Sequence, residues 1–88
     1  MYYVYILHCE DGKLYTGYAQ DLKTRIKKHK NGFVFSTKHR LPLTLIYYEA
    51  FLIESDAKRR EVYLKGGNGK KEIEKMLKDY FKKSPWKK

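Results

Sequence analysis

The run Tyr2–Cys9, Tyr-Tyr-Val-Tyr-Ile-Leu-His-Cys, constrains the fold of this chain more than any other segment. Aromatic and β-branched side chains in such density favour a strand. Glu10-Asp11-Gly12 follows as turn chemistry and Leu14–Ala19 as a second strand, so the chain opens with a β-hairpin. Two registers are compatible with the turn residues. A two-residue loop, Asp11-Gly12, pairs Glu10 with Lys13 and sends Tyr5 and Tyr15 to opposite faces. A three-residue loop, Glu10-Asp11-Gly12, keeps both tyrosines on one face and puts Gly12 in the left-handed position of a bulge. Only the second register lets the two hydroxyls act together.

Downstream, Asp21 caps a helix over Leu22–Lys30, which Asn31-Gly32 ends. Phe33 to Leu41 is a basic loop, and Pro42 precedes a third strand over Leu43–Leu52. Ser55 is the expected cap of a second helix, stopped by Gly66-Gly67. Lys70 to Lys82 carries Ile73, Met76, Leu77, Tyr80 and Phe81 on one stripe and reads as the last helix. The order β-β-α-β-α-α predicts a small mixed α/β domain, a three-stranded, mainly antiparallel sheet flanked by helices. Its expected bounds are residues 1–82, followed by a basic flexible tail over 83–88 that exposes Trp86.

Within the second helix one residue breaks the pattern. Ala57 and Leu64 define an apolar stripe, and position 61 lies on it, yet Glu61 stands there. A carboxylate leaves water only at high cost without a counter-charge, so an arginine, a lysine or a metal is expected beside it.

Charge narrows the partners. The 88 residues carry 20 Lys+Arg against 10 Asp+Glu, a net charge of +10, which points to a polyanion. No acidic residue occurs from Leu22 through Tyr48, a stretch with seven lysines and arginines (Lys23, Arg25, Lys27, Lys28, Lys30, Lys38 and Arg40) plus His29 and His39. Nine tyrosines among 14 aromatics suit both strand interiors and stacking on bases. The single cysteine, Cys9, excludes an internal disulfide and reads as a buried thiol in a reducing compartment. No apolar run approaches the ~20 residues of a membrane span, and the first residues lack the basic region of a secretory signal, so a cytoplasmic monomer without membrane contact is expected.

On the first helix, Arg25 and His29 are four residues apart and share a face at the edge of the Leu22/Ile26 stripe. Taken alone, His29 reads as a cation favoured by the helix C-terminus. Together with Tyr5, Tyr15 and Glu61 it forms a set with an order. Tyr3-Val4-Tyr5 is followed ten residues after Tyr5 by Tyr15-Thr16-Gly17, then by Arg25, His29 and Glu61. This ordered set resembles the GIY-YIG nuclease superfamily, and most closely its small stand-alone bacterial and archaeal branch. The likeness runs from about Tyr2 to Leu77. It departs from the family pattern at Tyr3, Val4 and Thr16. Tyr18 replaces a lysine found in some repair nucleases, and the late asparagine of many members is missing, with Asn68 too early to match it.

The resemblance implies a metal-dependent endonuclease that hydrolyses phosphodiester bonds in DNA; a shallow site on one small domain with many tyrosines leans toward single-stranded or flapped DNA, by stacking. Tyr5 and Tyr15 would share the tasks of deprotonating and orienting the attacking water, in an order the residues leave open. Arg25 would steady the scissile phosphate, with His29 close to it or to the proton relay. Glu61 would be the single carboxylate ligand of Mg²⁺, with Mn²⁺ as a substitute. Lys28, Thr37, Lys38 and Arg40 are the expected nucleic-acid contacts, the last three from the basic loop. Arg25, the metal and a positive cleft would be expected to lower the tyrosine pKa from about 10. The competing reading is a non-catalytic DNA- or RNA-binding module in which Glu61 is a structural partner of Arg25 or Lys65. A further reading makes the chain depend on a protein partner for targeting, since no separate DNA-binding domain is present.

Overall fold

The computed structural model of the protein describes residues 1–87. Strands β1 (Tyr2–Cys9), β2 (Leu14–Ala19) and β3 (Leu43–Phe51) form one antiparallel sheet in the order β2-β1-β3. Helix α1 (Leu22–Lys30) joins β2 to β3, and α2 (Glu54–Lys65), α3 (Gly67–Met76) and α4 (Lys78–Lys83) follow. The expected small α/β domain is therefore the observed one.

The hairpin takes the three-residue loop. Cys9 N–H donates to Lys13 O at 3.0 Å, Gly12 N–H donates to Cys9 O at 2.9 Å, and Gly12 has φ 82°. A left-handed residue at that point is what glycine supplies at little cost. Tyr5 then lies opposite Gly17, and Leu7 opposite Tyr15, so both tyrosines face the same side.

β1 is central and buried on both faces, with Val4, Tyr5, Ile6 and Leu7 fully enclosed. Alternation along the strands separates two cores. Tyr5, Leu7, Cys9, Ala19 and Leu43 pack against Ile26 of α1 on one face. Val4 and Ile6 pack against Ala57 and Leu64 of α2 and Ile73 of α3 on the other. On that second face Arg60 forks onto Glu49 at 2.8 Å and also pairs with Glu72, tying α2 to β3 and α3.

Three local expectations differ. The second helix starts at Glu54, and the capping position is Ile53, without a side-chain cap. Its first turn is stabilised instead by Glu54 and Asp56 at the positive end of the dipole, with Tyr18 Oη donating to Glu54 at 2.6 Å. The last helix begins at Gly67 and breaks at Leu77, giving two helices where one was expected; Asn68 is consequently in the first turn of α3. The early start follows from Gly69, whose missing side chain lets α3 lie directly on the Tyr63 carbonyl and the Leu64 backbone. Lys70 then reaches back to cap Leu64 O at 3.2 Å.

The segment after α4 folds onto the hairpin turn: Trp86 packs on Phe81 and is half-buried, and Lys87 N–H donates to Gly12 O at 2.7 Å. Lys88, the last residue of the expected tail, lies outside the described residues.

Gly69→Ala should destabilise the fold by about 1–3 kcal/mol, because its methyl group meets backbone that cannot rotate away. Gly67→Ala, with open space around it, should be neutral or stabilising. Urea denaturation of the two variants side by side checks this, and equal stabilities would contradict the close approach of α3 to α2.

Candidate active site

Four of the five residues in the ordered set meet on the α1 side of the sheet. Tyr5 projects from the middle of β1 and passes over β2 at Gly17, where a Cβ would collide with the Tyr5 ring and hydroxyl. A glycine inside a strand often marks such a close approach. The Tyr5 hydroxyl is 2.7 Å from Nε2 of His29, and Nδ1 of His29 is 2.7 Å from Oγ1 of Thr37. All three residues are fully buried. The Tyr15 ring stands 6.4 Å from that of Tyr5 and 5.3 Å from the imidazole. Arg25, one turn before His29 on α1, lays its guanidinium against the hydroxyls of Tyr5 and Tyr15. Its Nε is buried without a hydrogen-bond partner. A buried donor left unpaired is costly, so an arriving acceptor such as a phosphate oxygen would satisfy it.

Glu61 comes from the other side of the sheet. α2 covers the opposite face and touches all three strands, and the Glu61 carboxylate has only a minor electrostatic effect on Tyr5. Its counter-charge is Lys65, one turn on in the same helix, with Nζ 3.2 Å from Oε2. No salt bridge joins Glu61 to Arg25 among the described residues. Nor do three His, Cys, Asp or Glu side chains gather anywhere among them into a ready-made metal cage. One carboxylate does fit Mg²⁺, which keeps much of its water shell and takes remaining ligands from a bound phosphate.

Burial decides the protonation states. Desolvation pushes the Tyr5 hydroxyl up to about 12; the adjacent Arg25 pulls it down but is outweighed, while Tyr15 and Glu61 raise it further. The expected lowering of this tyrosine is therefore not the state of the free protein. Burial, and then Arg25, push His29 down to about 4, so it is neutral at pH 7 and not the helix-terminal cation its position alone suggested.

The expected nucleic-acid contacts divide. Lys28 and Lys38 are exposed, with Lys38 Nζ 4.9 Å above the Phe35 ring. Arg40 is engaged with Asp11 at 2.8 Å and pins the basic loop to the hairpin turn. Thr37 is enclosed and bound to His29, so it orients the imidazole and does not face a ligand. No sequence pattern announces that role; Thr37 lies eight positions after His29, in a loop whose course only the fold sets.

An acid-sensitive stability follows from His29. The unfolded chain takes up a proton as pH falls below about 6.5, whereas the folded imidazole resists until about 4. Stability present above pH 6.5 should thus be lost across that window, by up to about 3 kcal/mol. Denaturation midpoints measured from pH 7 to pH 4 should fall more steeply in the wild type than in His29→Gln; parallel curves would contradict a buried neutral His29.

Comparison with known proteins gives the family. The family model of the GIY-YIG catalytic domain matches residues 1–75. A UPF0213 protein of Staphylococcus saprophyticus is 45% identical over 73 residues, covering 82% of this chain and 89% of the relative. A UPF0213 protein of Staphylococcus epidermidis is 46% identical over 65 residues, covering 73% and 79%. The solution NMR structure of a UPF0213 protein from Bacillus halodurans superposes with a TM-score of 0.56 at 39% identity, covering 86% of this chain and 85% of that one. The chain belongs to the GIY-YIG family, whose catalytic domain is a nuclease fold.

Proposed function

We propose that this protein is an endonuclease that hydrolyses phosphodiester bonds in DNA with the help of one divalent metal ion. The observation that carries the reading is the chain Tyr5–His29–Thr37, two 2.7 Å hydrogen bonds beside an arginine with a free buried donor.

A hydroxyl held near pKa 12 is a poor base if it must ionise first. The neighbouring neutral imidazole removes that need. With Nδ1–H donating to Thr37, Nε2 accepts the hydrogen bond from Tyr5. Once substrate binding uncovers the enclosed Tyr5 hydroxyl, the attacking water would give its proton to the Tyr5 oxygen as the proton of Tyr5 passes to Nε2. The water oxygen forms the new bond to phosphorus, the bond to the leaving oxygen breaks, and that oxygen takes a proton from solvent. Tyr15 orients the water or the phosphate. Arg25 donates to the phosphate oxygens as charge builds on them, the task its planar fork suits best. A metal ion at Glu61, Mg²⁺ or in its place Mn²⁺, would supply Lewis-acid stabilisation of the phosphate and leaving oxygen.

Single-stranded or flapped DNA is the preferred substrate in this reading. Phe33 and Phe35 are 77% and 82% exposed on the basic loop, beside Lys38. Exposed rings flanked by cations suit unstacked bases. Residues 1–82 act as the nuclease unit, with the basic segment 83–88 appended. The protein works as a cytoplasmic monomer, and a protein partner supplies the targeting. No helix among the described residues is long and apolar enough to cross a membrane.

The second reading, a binding module without catalysis, draws its support from the Glu61–Lys65 pair, which already provides the carboxylate with a cation. The two separate in a cleavage assay on end-labelled single-stranded, duplex and flapped DNA with Mg²⁺, Mn²⁺ or EDTA. The nuclease reading expects metal-dependent cutting that falls by about 10²-fold or more in Glu61→Ala and Arg25→Ala, with binding retained in the former. Binding without cutting in either metal would establish the module instead.

Thr37 gives a finer test. Thr37→Val removes the partner of Nδ1 and frees the imidazole tautomer, so cleavage should drop about tenfold or more and the pH–rate profile should shift. Thr37→Ser keeps the hydroxyl and should restore both. A loss of rate in Thr37→Val with an unchanged profile would mean that Thr37 serves packing alone.

A further inference from the structure

α1 packs on the sheet through Ile26 and touches β3. On its far side, away from Arg25 and His29, a gap opens between the helix and the sheet residues Tyr3, Leu45 and Tyr48. The gap is a groove of about 820 Å³, within the size range of ligand clefts. Its floor is Tyr3, Leu45 and Tyr48; the two tyrosines meet edge to face at 6.2 Å, and Tyr48 is 54% exposed. Its wall is Lys23, Lys27 and Lys30, spaced at i, i+4 and i+7 along one side of α1. None of the three is in a salt bridge among the described residues. The one carboxylate at the groove, Asp21, is engaged as the N-cap of α1, where it accepts from Thr24 N–H at 3.1 Å and lies beside Lys23.

We propose that this groove is a second nucleic-acid-binding site, which holds an unpaired stretch of strand while the scissile phosphate lies on the opposite side of α1. The proposal rests on the nuclease reading for the identity of the polymer. The chemistry commits to the occupant: flat apolar rings on the floor favour stacked bases, and a row of unpaired lysines favours a phosphate backbone. A duplex hides its base faces and cannot use the tyrosine floor. An uncharged apolar partner would leave three lysines buried without counter-charge. The distance is consistent with one continuous strand. Crossing a helix of ~10–12 Å diameter takes about three or four nucleotides at ~3.4 Å of rise each. A substrate long enough to reach the groove is thus anchored at two points, and a short one at the catalytic cleft alone.

The test compares strand lengths. Fluorescence anisotropy in EDTA would follow labelled oligothymidylates of about 4 and about 20 nucleotides, with a 20-residue oligouridylate and a 20-base-pair duplex beside them. The variants are Tyr48→Ala combined with Lys27→Ala, and Tyr48→Phe, which keeps the ring. Both positions lie outside the catalytic cleft and are exposed, and a far-UV melt confirms that each variant is folded. The double variant should bind the long strand about 10-fold or more weakly and show a salt slope shallower by about 0.7 for the missing lysine. Its affinity for the short strand and its cleavage of it should not change, and Tyr48→Phe should match the wild type. The oligouridylate arm tells whether the sugar matters.

Long-strand affinity within twofold of the wild type would overturn the proposal. So would equal losses on short strand, long strand and duplex, or a dimer in sedimentation that the Tyr48→Ala change dissolves, since the groove would then be an interface between copies. Cleavage in Mg²⁺ separates this idea from the one it rests on. An inert wild type whose long-strand binding still depends on Tyr48 removes the nuclease and keeps the groove. An active enzyme indifferent to these substitutions removes the groove alone.

Discussion

The hydrogen bond between Tyr5 and His29 joins the central strand to the first helix and, through Thr37, to the loop after it. Each partner is fully buried, so neither bond can be exchanged for one to water. The bond therefore dictates how α1 lies on the sheet as well as how the site is arranged. It also explains why the basic loop returns to the active site at all. Thr37 anchors it from within, and the Arg40–Asp11 pair anchors it from the hairpin turn. Around those anchors the loop keeps Phe33, Phe35 and Lys38 in solvent.

Electrostatics and burial oppose each other in this cleft, and burial prevails. A net charge of +10 and an arginine in contact with Tyr5 should favour tyrosinate, yet the hydroxyl is held near 12. The same burial keeps His29 neutral. The consequence is a resting site with one fixed cation, Arg25, and two neutral groups aligned for proton transfer. In the proposed mechanism such a pair would exchange its protons in step with the attack, without forming a free anion that the apolar surroundings would penalise. The unpaired Nε of Arg25 fits the same proposal, as a donor for an oxygen that would arrive with the substrate.

The site is also a consequence of the sheet having an edge. Residues of α1 and of α2 lie on opposite faces and would not meet across a broad sheet. β2 is an edge strand, and Gly17 removes the side chain that would have separated Tyr5 from it. On the other side of α1 a lysine-walled groove lies between the helix and the sheet residues Tyr3, Leu45 and Tyr48.

Much of this was legible in the residues. The bounds of β1, β2 and α1 follow from local chemistry: a β-branched and aromatic run, a turn, and Asp21 placed to cap a helix. The set Tyr5, Tyr15, Arg25, His29 and Glu61 could be picked out by order and spacing, and Glu61 by its place on an apolar stripe. What depended on distance in space was not. The choice between two hairpin registers rests on the pairing of β1 with β2, whose loop residues suit either. The start of α3 rests on the backbone contact made possible by Gly69. The partner of Thr37, the neutral state of His29 and the raised pKa of Tyr5 depend on how completely water is excluded, a property of the packed whole. The sequence by itself determined which chemical groups the protein owns and which elements carry them, because those depend on neighbours a few residues away. The tertiary structure alone decided which groups touch and which are charged, because desolvation and hydrogen bonding between distant segments exist only once the chain has closed on itself.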